Sequence, residues 1–337
     1  MKVIRIFTYC ATALFLSPLL GPARAADDFP GKQIQVIVPS SPGGGMDRIA
    51  RQIVPFAEKH LGTNMVVKNI EGGAFAVGTV SAYQAPADCK TLLSSNQPLH
   101  ALTYLVQSVP YDENSFIPVV STEKADSVIY VKKDAPWKTI KDLIEDARAN
   151  PGKIKVGAST ITDTGYFAIK SLEKATGVQF NVIAYNGGAA FRNAVRGGEV
   201  EVASDDMVAG MSFKDDARIL AGFTGNNDPF PAERNLWVNE PIPSINAELG
   251  IDIKPTFELT GVIYLNRGCF TNYPDRYQRL TKAFLDALND PGYREALKKT
   301  GEEKKIYIVP GPEYDKIEKS DLSKLLPILR EQGLIKK

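Results

Sequence analysis

The fold of this chain is decided by one stretch near its start, Val36-Ile37-Val38-Pro39-Ser40-Ser41-Pro42-Gly43-Gly44-Gly45-Met46-Asp47. Its first three residues are apolar and β-branched, which is typical of a strand buried in a parallel sheet. Two prolines and three consecutive glycines then predict a turn with little side-chain cover. After the turn, Ile49, Ile53, Phe56 and Ala57 recur at helical spacing. The amides of such a strand–turn–helix unit suit an anion, although an ordinary βα turn stays open as the alternative.

The first 25 residues have the pattern of an export signal. Lys2 and Arg5 form a basic region, residues 6–20 are mostly apolar, and Ala23-Arg24-Ala25 ends the segment with a cleavage pattern. The apolar part is shorter than the ~20 residues that a membrane span needs. We therefore expect cleavage after Ala25 and a soluble, periplasmic mature chain of 312 residues, which is 337 minus 25.

Composition limits the function classes. Lys plus Arg number 40 and Asp plus Glu number 39, so no electrostatic field would attract nucleic acid. The histidines, His60 and His100, are too few and too isolated for a metal centre. The mature chain keeps Cys89 and Cys269, and an oxidising compartment permits a disulfide between them. Free buried thiols remain the alternative, because sequence alone cannot place the two residues within bonding distance.

Strands and helices alternate after residue 27, which predicts an α/β fold with parallel strands. We expect two α/β domains, the first from residues 26–120 together with 221–337 and the second from residues 121–220, with a ligand cleft between them. Several predicted strands end in polar or glycine-rich turns, at residues 71–78, 95–97, 158–165, 186–189 and 204–206. Ligands of open α/β sheets bind where such turns meet beyond the strand ends.

The motifs of catalysis and cofactor binding are absent from these turns. Gly43-Gly44-Gly45 lacks the Gly-Lys-Ser/Thr of a P-loop, and no G-x-G-x-x-G or G-x-S-x-G motif follows a predicted strand. We expect no nucleotide or other cofactor. Asp205 and Asp206 are adjacent on a predicted strand and would point to opposite faces, which argues against a paired-carboxylate mechanism. A cleft rich in backbone amides, Ser, Thr and Asn holds a small carboxylate without chemistry.

A spaced set of motifs resembles the substrate-binding proteins of tripartite tricarboxylate transporters, the Bug or TctC-type receptors. The matching segments are 36–47, 69–78, 88–93, 109–112, 142–153, 156–165 and 184–198, the last with Tyr-x-Gly-Gly-Ala. The resemblance implies a periplasmic-binding-protein-like receptor that closes on a carboxylate and delivers it to membrane permease subunits. It further implies that the two glycine turns of the first domain hold one carboxylate, partly through water, while loops of the second domain select the rest of the ligand.

Carried over position by position, the resemblance implies a set of ligand-binding residues. In the first domain they are Ser40, Ser41, Pro42, Gly43, Gly44, Gly45, Gly72, Gly73, Ala74, Val77, Gly78 and Asn96. In the second they are Thr160, Thr162, Asp163, Tyr185, Asn186, Gly187, Gly188, Ala189 and Asp205. Ser40, Met46 and Asn186 depart from the family pattern, where an aromatic, a small hydroxyl residue and a Lys or Arg are usual. These departures bear on which ligand is bound.

We therefore predict a monomeric receptor, without enzymatic activity, for a mono-, di- or tricarboxylate, aromatic acids included. The absence of a Lys at position 186 argues against a highly charged tricarboxylate. A receptor that signals to a membrane sensor is an alternative that sequence cannot separate from transport. An exported hydrolase with Ser41 or Ser94 as nucleophile is a further alternative, for which only His60 or His100 could serve as the base.

Overall fold

The computed structural model describes residues 28–125, 127–161, 163–207, 214–223, 240–253, 259–331, 333 and 335. The predicted signal segment and Thr162 lie outside these residues. The strands are β1 (Gln33–Val38), β2 (Asn64–Asn69), β3 (Thr91–Gln97), β4 (Phe116–Ala125), β5 (Ser127–Lys132), β6 (Lys155–Ala158), β7 (Asn181–Ala184), β8 (Val202–Asp206), β9 (Ala217–Gly222) and β10 (Leu259–Asn266). The helices are α1 (Gly45–Leu61), α2 (Ala76–Gln84), α3 (Leu99–Val106), α4 (Ile140–Ala149), α5 (Thr164–Thr176), α6 (Gly188–Gly197), α7 (Ile245–Leu249), α8 (Arg267–Asn272), α9 (Pro274–Asn289), α10 (Pro291–Thr300) and α11 (Gly311–Glu331), with a 3₁₀ helix at Glu302–Lys305.

Two five-stranded sheets organise the described residues, and we call each sheet with its packed helices a lobe. The first sheet has the strand order β2-β1-β3-β10-β4, and the second has β7-β6-β8-β5-β9. In the first lobe β1 pairs in parallel with β2 and β3, and its side chains Ile34, Val36 and Val38 are fully buried. These three side chains share one face, and Ile37 on the other face is also buried, so the end of β1 that leads into the turn is apolar on both faces, as expected for a strand inside a sheet.

The predicted alternation of strands and helices is confirmed, but both sheets are mixed. Strand β10 runs antiparallel to β3 and β4, and β5 runs antiparallel to β8 and β9. The expectation of parallel strands was therefore wrong for these two. Their direction follows from connectivity, because β5 is the first strand after the chain enters the second sheet and β10 is the strand on which it re-enters the first.

Helix α11 ties the two lobes together. Tyr314 near its start packs in a core of the first lobe, whereas Leu325 and Leu329 near its end pack in a core of the second. Within the described residues no helix is long and apolar enough to cross a membrane.

A disulfide joins Cys89, ahead of β3, to Cys269 in α8, with their Cα atoms 5.2 Å apart. Of the two alternatives that the sequence left open, a disulfide and free buried thiols, the structure therefore shows the disulfide. The bond connects residues separated by 180 positions, so it fixes the C-terminal helices of the first lobe to its sheet.

Candidate functional site

The glycine turn between β1 and α1 is fixed by a carboxylate from its own helix. Asp47 accepts hydrogen bonds from the amide of Gly43 at 2.8 Å and from Nε of Arg51 at 2.9 Å. Although burial raises the pKa of Asp47, the bonds from Arg51 and Gly43 leave that pKa below its ordinary value. Gly43 has a φ of +79°, a conformation that favours glycine. The turn is therefore held in one shape, with Gly44 and Gly45 lining the space between the lobes.

Five of the described helices begin at the cleft without a side-chain cap bond, namely α1, α2, α3, α5 and α6, and α1 and α6 begin after a glycine. The N-cap residues of α1 and α6 are Gly44 and Gly187, and neither has a side chain that could accept a bond. Elsewhere, α4, α7 and α10 are capped by Thr139, Ser244 and Asp290, whereas α9 begins without a side-chain cap. The first amides of a helix have no partner inside the helix, and its N-terminus carries about half a positive charge. The uncapped ends of α1 and α6 therefore suit a negatively charged ligand group.

The lobes approach each other closely at these two turns. Oγ of Ser41 donates a hydrogen bond to the backbone oxygen of Asn186 at 3.4 Å. A Cβ on Gly187 would lie 2.8 Å from the same Oγ, and the φ of Gly187 is +117°. Only a glycine permits this approach. Between the lobes remains a cavity of about 40 Å³, room for about three water molecules, so a larger ligand requires the cleft to widen.

The cavity is lined by both lobes. From the first come Ser40, Gly44, Gly45, Met46, Phe75, Asn96, Leu99 and Leu259, and from the second Ser159, Asp163, Gly188, Arg192, Asp205 and Asp206. Seven of these were predicted as ligand-binding residues, namely Ser40, Gly44, Gly45, Asn96, Asp163, Gly188 and Asp205. Met46 was expected to border the site. The sequence reasoning did not single out Arg192, which follows Gly188 by one helical turn and so faces the same side of α6.

Acidic side chains dominate the wall that the second lobe contributes. Nη1 of Arg192 donates to Oδ2 of Asp205 at 3.0 Å, and both side chains are buried. Burial, opposed by Arg192 and reinforced by the neighbouring Asp206 and Asp163, raises the pKa of Asp205 to about 8. Asp163 accepts from the amide of Ser159 at 3.1 Å, and burial raises its pKa as well.

Two buried polar atoms of the first lobe that line the cavity have no hydrogen-bond partner within the described residues. They are Oγ of Ser40 and Oδ1 of Asn96. Ser40 is 4% exposed and Asn96 is 9% exposed, so bulk water satisfies neither atom. Unsatisfied buried groups of this kind are rare in proteins and indicate a ligand or an ordered water.

A network of charges lies behind the site, near the chain crossing between the lobes. Arg48 of α1 forms a short ion pair with Glu302 and lies 3.9 Å from Glu123 of β4. The Nζ atom of Lys305 lies 3.3 Å from Glu123, and burial lowers the pKa of this lysine. Asp206 acts electrostatically on Arg48 and Lys305, which links the network to the cavity.

The other predicted residues that the structure describes do not line the cavity. A Cβ at position 78 would lie 2.4 Å from the backbone oxygen of Ile70. Glycine at this position therefore allows helix α2 to pack closely against the loop that precedes it. Val77 is 50% exposed and lines an open groove with Ile70 and Val80. The remaining predicted residues do not line the cavity: Ser41, Pro42, Gly43, Gly72, Gly73, Ala74, Thr160, Tyr185, Asn186, Gly187 and Ala189.

Both histidines contact other side chains of the first lobe. His60 lies 3.1 Å from Asp290 at the start of α10. His100 stacks against Tyr111 and Tyr264, and burial lowers its pKa to about 3. Neither ring lines the cavity between the lobes.

Comparisons with known proteins agree on one family. A family model described as the tripartite tricarboxylate transporter family receptor matches residues 49–334. The UPF0065 protein in the gbd 5' region of Cupriavidus necator is 28% identical over 320 residues, which cover 94% of this chain and 92% of that protein. Protein BugT of Bordetella pertussis is 29% identical over 212 residues, which cover 62% of this chain and 63% of BugT.

Solved structures share the fold. The periplasmic binding protein BugD has a TM-score of 0.77 at 20% identity, and a Rhodopseudomonas palustris protein solved with adipate has a TM-score of 0.77 at 22% identity. Each alignment covers 91% of this chain and 99% of the other. MatC from the same organism, solved with bound malate, has a TM-score of 0.74 at 17% identity, with 88% of this chain and 98% of MatC covered. The predicted class, a periplasmic-binding-protein-like α/β fold, is thereby confirmed.

Proposed function

Because the chain belongs to the tripartite tricarboxylate transporter family of receptors, we propose that it is a periplasmic receptor that captures a small organic carboxylate for a membrane transporter of that type. Membership confirms the resemblance seen in the sequence motifs. It also makes the chain a solute-binding receptor rather than an enzyme, as predicted.

The observation that carries the proposal is the meeting of two uncapped helix N-termini at the cavity between the lobes. Gly44 and Gly45 of α1 line this cavity from one side, and Gly188 of α6 lines it from the other. Backbone amides at such ends bind carboxylates without any catalytic group. A ligand held by both lobes favours the closed arrangement of the receptor, which is the form that a transporter would distinguish from the open one.

The solved relatives support the ligand class. Adipate and malate, which were found in two of them, are both small carboxylates. We propose that a carboxylate of this size binds here across residues 40–45 of the first lobe and residues 186–189 of the second.

The proposal includes export by the signal segment, a monomeric receptor and delivery to permease subunits in the membrane. It also retains two domains, residues 26–120 with 221–337 and residues 121–220, that close by hinge motion near residues 120 and 220, with the end of α11 packed against the second.

Thermal unfolding of the mature protein with a panel of organic, amino and aromatic acids tests the proposal. At 100 times its dissociation constant, a ligand should stabilise the folded protein by about 2.7 kcal/mol. A Gly197→Ala variant serves as a control, because this glycine lies at the far end of α6 and a Cβ there would meet no atom within 4 Å. It should respond like the wild type. No response to any carboxylate would overturn the proposal.

A further inference from the structure

We infer that Arg192 determines the ligand specificity of this cleft, because its guanidinium binds a second carboxylate at the far end of a diacid. This inference rests on the proposed function, since it names a specificity residue and the ligand class of the same cleft. The first carboxylate of the ligand is assigned to the glycine turn and the start of α1, so the partner of the second lies on the other lobe.

Arg192 is the cation that the second lobe presents to the ligand. Among the described residues that line the cavity it is the basic one, and it is 8% exposed. The segment that leads into α6, residues 185–188, contains no basic side chain. A cation is costly to bury unless an anion compensates it. A buried arginine on the wall of a ligand cavity therefore indicates an anionic group of the ligand.

The guanidinium of Arg192 lies over the start of its own helix. A Cβ on Gly188 would lie 2.7 Å from Nη1 and 2.9 Å from Nη2, so the glycine provides the space that the planar group occupies. Gly188 lines the cavity as well, at the uncapped N-terminus of α6. A carboxylate that enters from the cavity would therefore meet the arginine and the positive end of the helix together.

The hydrogen bonds of Arg192 leave donors for a ligand. A guanidinium has five N–H donors in a planar fork that matches the two oxygens of a carboxylate. Within the described residues, the hydrogen bond of Arg192 runs from Nη1 to Oδ2 of Asp205 at 3.0 Å. Nε and Nη2 thus remain for a ligand carboxylate.

Asp205 competes only weakly for the charge of Arg192 near neutral pH. Burial, although Arg192 opposes it, raises the pKa of Asp205 to about 8, so this carboxyl group holds a proton at pH 7. Asp206 on β8, Asp163 at the start of α5 and Tyr130 on β5 face the same group. Burial also raises the pKa of Asp163, and Asp206 acts on the cations of the network behind the site. A ligand carboxylate can therefore take the guanidinium from Asp205.

The cavity thus has anion-binding groups on both walls. Gly44 and Gly45 line it from the first lobe, and Gly188 and Arg192 line it from the second. A monocarboxylate occupies one of these places, whereas a diacid connects both lobes through its two ends. The diacid therefore stabilises the closed arrangement more than a monocarboxylate of the same length does.

Calorimetric titration at pH 7 with diacids and their own monoamides tests the inference. The pairs are succinate with succinamate, glutarate with glutaramate and adipate with adipamate, and each pair has one length and differs by one charge. At one length or more, we expect the diacid to bind at least about 10-fold more tightly than its monoamide. Arg192→Gln should lower this preference at least about 10-fold, because glutamine can still donate to Asp205 but has no charge.

Arg148→Gln is the matched control, because this exposed arginine in the last turn of α4 does not line the cavity and should leave the preference unchanged. If Arg192→Gln does not fold, Asp205→Asn decides at pH 9, where Asp205 is mostly ionised. Removal of this competing carboxylate should raise the preference for the diacid, and an unchanged or lowered preference overturns the inference.

Equal binding of diacid and monoamide at every length, or binding of monocarboxylates alone, overturns the inference and leaves the proposed function standing. Equal loss of both ligands in Arg192→Gln also overturns it, because a purely structural arginine would weaken both alike. Binding of no acid at all overturns the proposed function together with the inference.

Discussion

Replacing Gly45 by proline should remove a carboxylate-binding amide while leaving helix α1 intact. Gly45 is the first residue of α1, where the N–H has no partner inside the helix and proline is well tolerated. The preceding Gly44 has φ −71° and ψ 170°, the extended conformation that a residue before proline requires. A Cβ at position 45 meets no atom within 4 Å, so the first carbon of the proline ring has space.

The expected loss follows from the strength of one charge-assisted hydrogen bond. Such a bond contributes about 1.5–3 kcal/mol, which corresponds to about 10- to 150-fold in the dissociation constant. Calorimetric titration with the tightest acid of the panel measures this loss. The midpoint of thermal unfolding without ligand should stay near that of the wild type, because the substitution breaks no helical bond.

Gly45→Ala separates the missing N–H from added bulk. Alanine keeps the amide and places a methyl group in the same space, so its loss of affinity should be much smaller than that of Gly45→Pro. Wild-type affinity in Gly45→Pro, or equal losses in both variants, would refute the reasoning that this amide holds the carboxylate.

Three further outcomes follow from the structure. Reduction of the Cys89–Cys269 disulfide, which spans 180 positions, should lower the free energy of unfolding by up to about 5 kcal/mol; urea unfolding with reductant measures this, and an unchanged midpoint contradicts it. Gly78→Ala should cost about 1–3 kcal/mol, because its Cβ would lie 2.4 Å from a backbone oxygen, whereas Gly197→Ala should be neutral or stabilising; similar melting temperatures would refute this contrast. Because the pKa of Asp205 is raised in the folded protein, the folded chain keeps a proton between pH 5 and 8 that the unfolded chain has already released. The ligand-free wild type should therefore lose stability as pH rises across this range. Relative to Asp205→Asn, this loss should reach up to ~1.4 kcal/mol per pH unit in urea unfolding, and a pH-independent difference would exclude it.

Local sequence signals predicted much of the first lobe. The apolar run of β1, the glycine turn and the periodic face of α1 are all encoded within one short segment, and the structure places them at 33–38 and 45–61. Helix α10 begins at a proline and ends before a glycine, which gives its bounds directly from sequence. These elements were predictable because their boundaries depend on neighbouring residues alone.

Features that depend on distant residues were not predictable in the same way. The antiparallel direction of β10 depends on where the chain re-enters the first sheet, and no local pattern encodes it. Arg48 meets Glu302 across 254 positions, and charged residues at such separations carry no pairing signal. Arg192 is the instructive case, because a lone arginine in a helix usually faces solvent. Here its spacing from the glycine turn was the available signal.

The most direct test of the central claim compares one acid with its own amide. Calorimetric titration of ligand-stripped mature protein would use the tightest acid of the panel and the derivative in which the carboxylate facing α1 is a primary amide. The account predicts stoichiometric binding of the acid and a loss of at least about 10-fold for the amide, because a neutral oxygen gains less from the uncapped amides. Equal binding of acid and amide would contradict the claim that the cleft recognises a carboxylate.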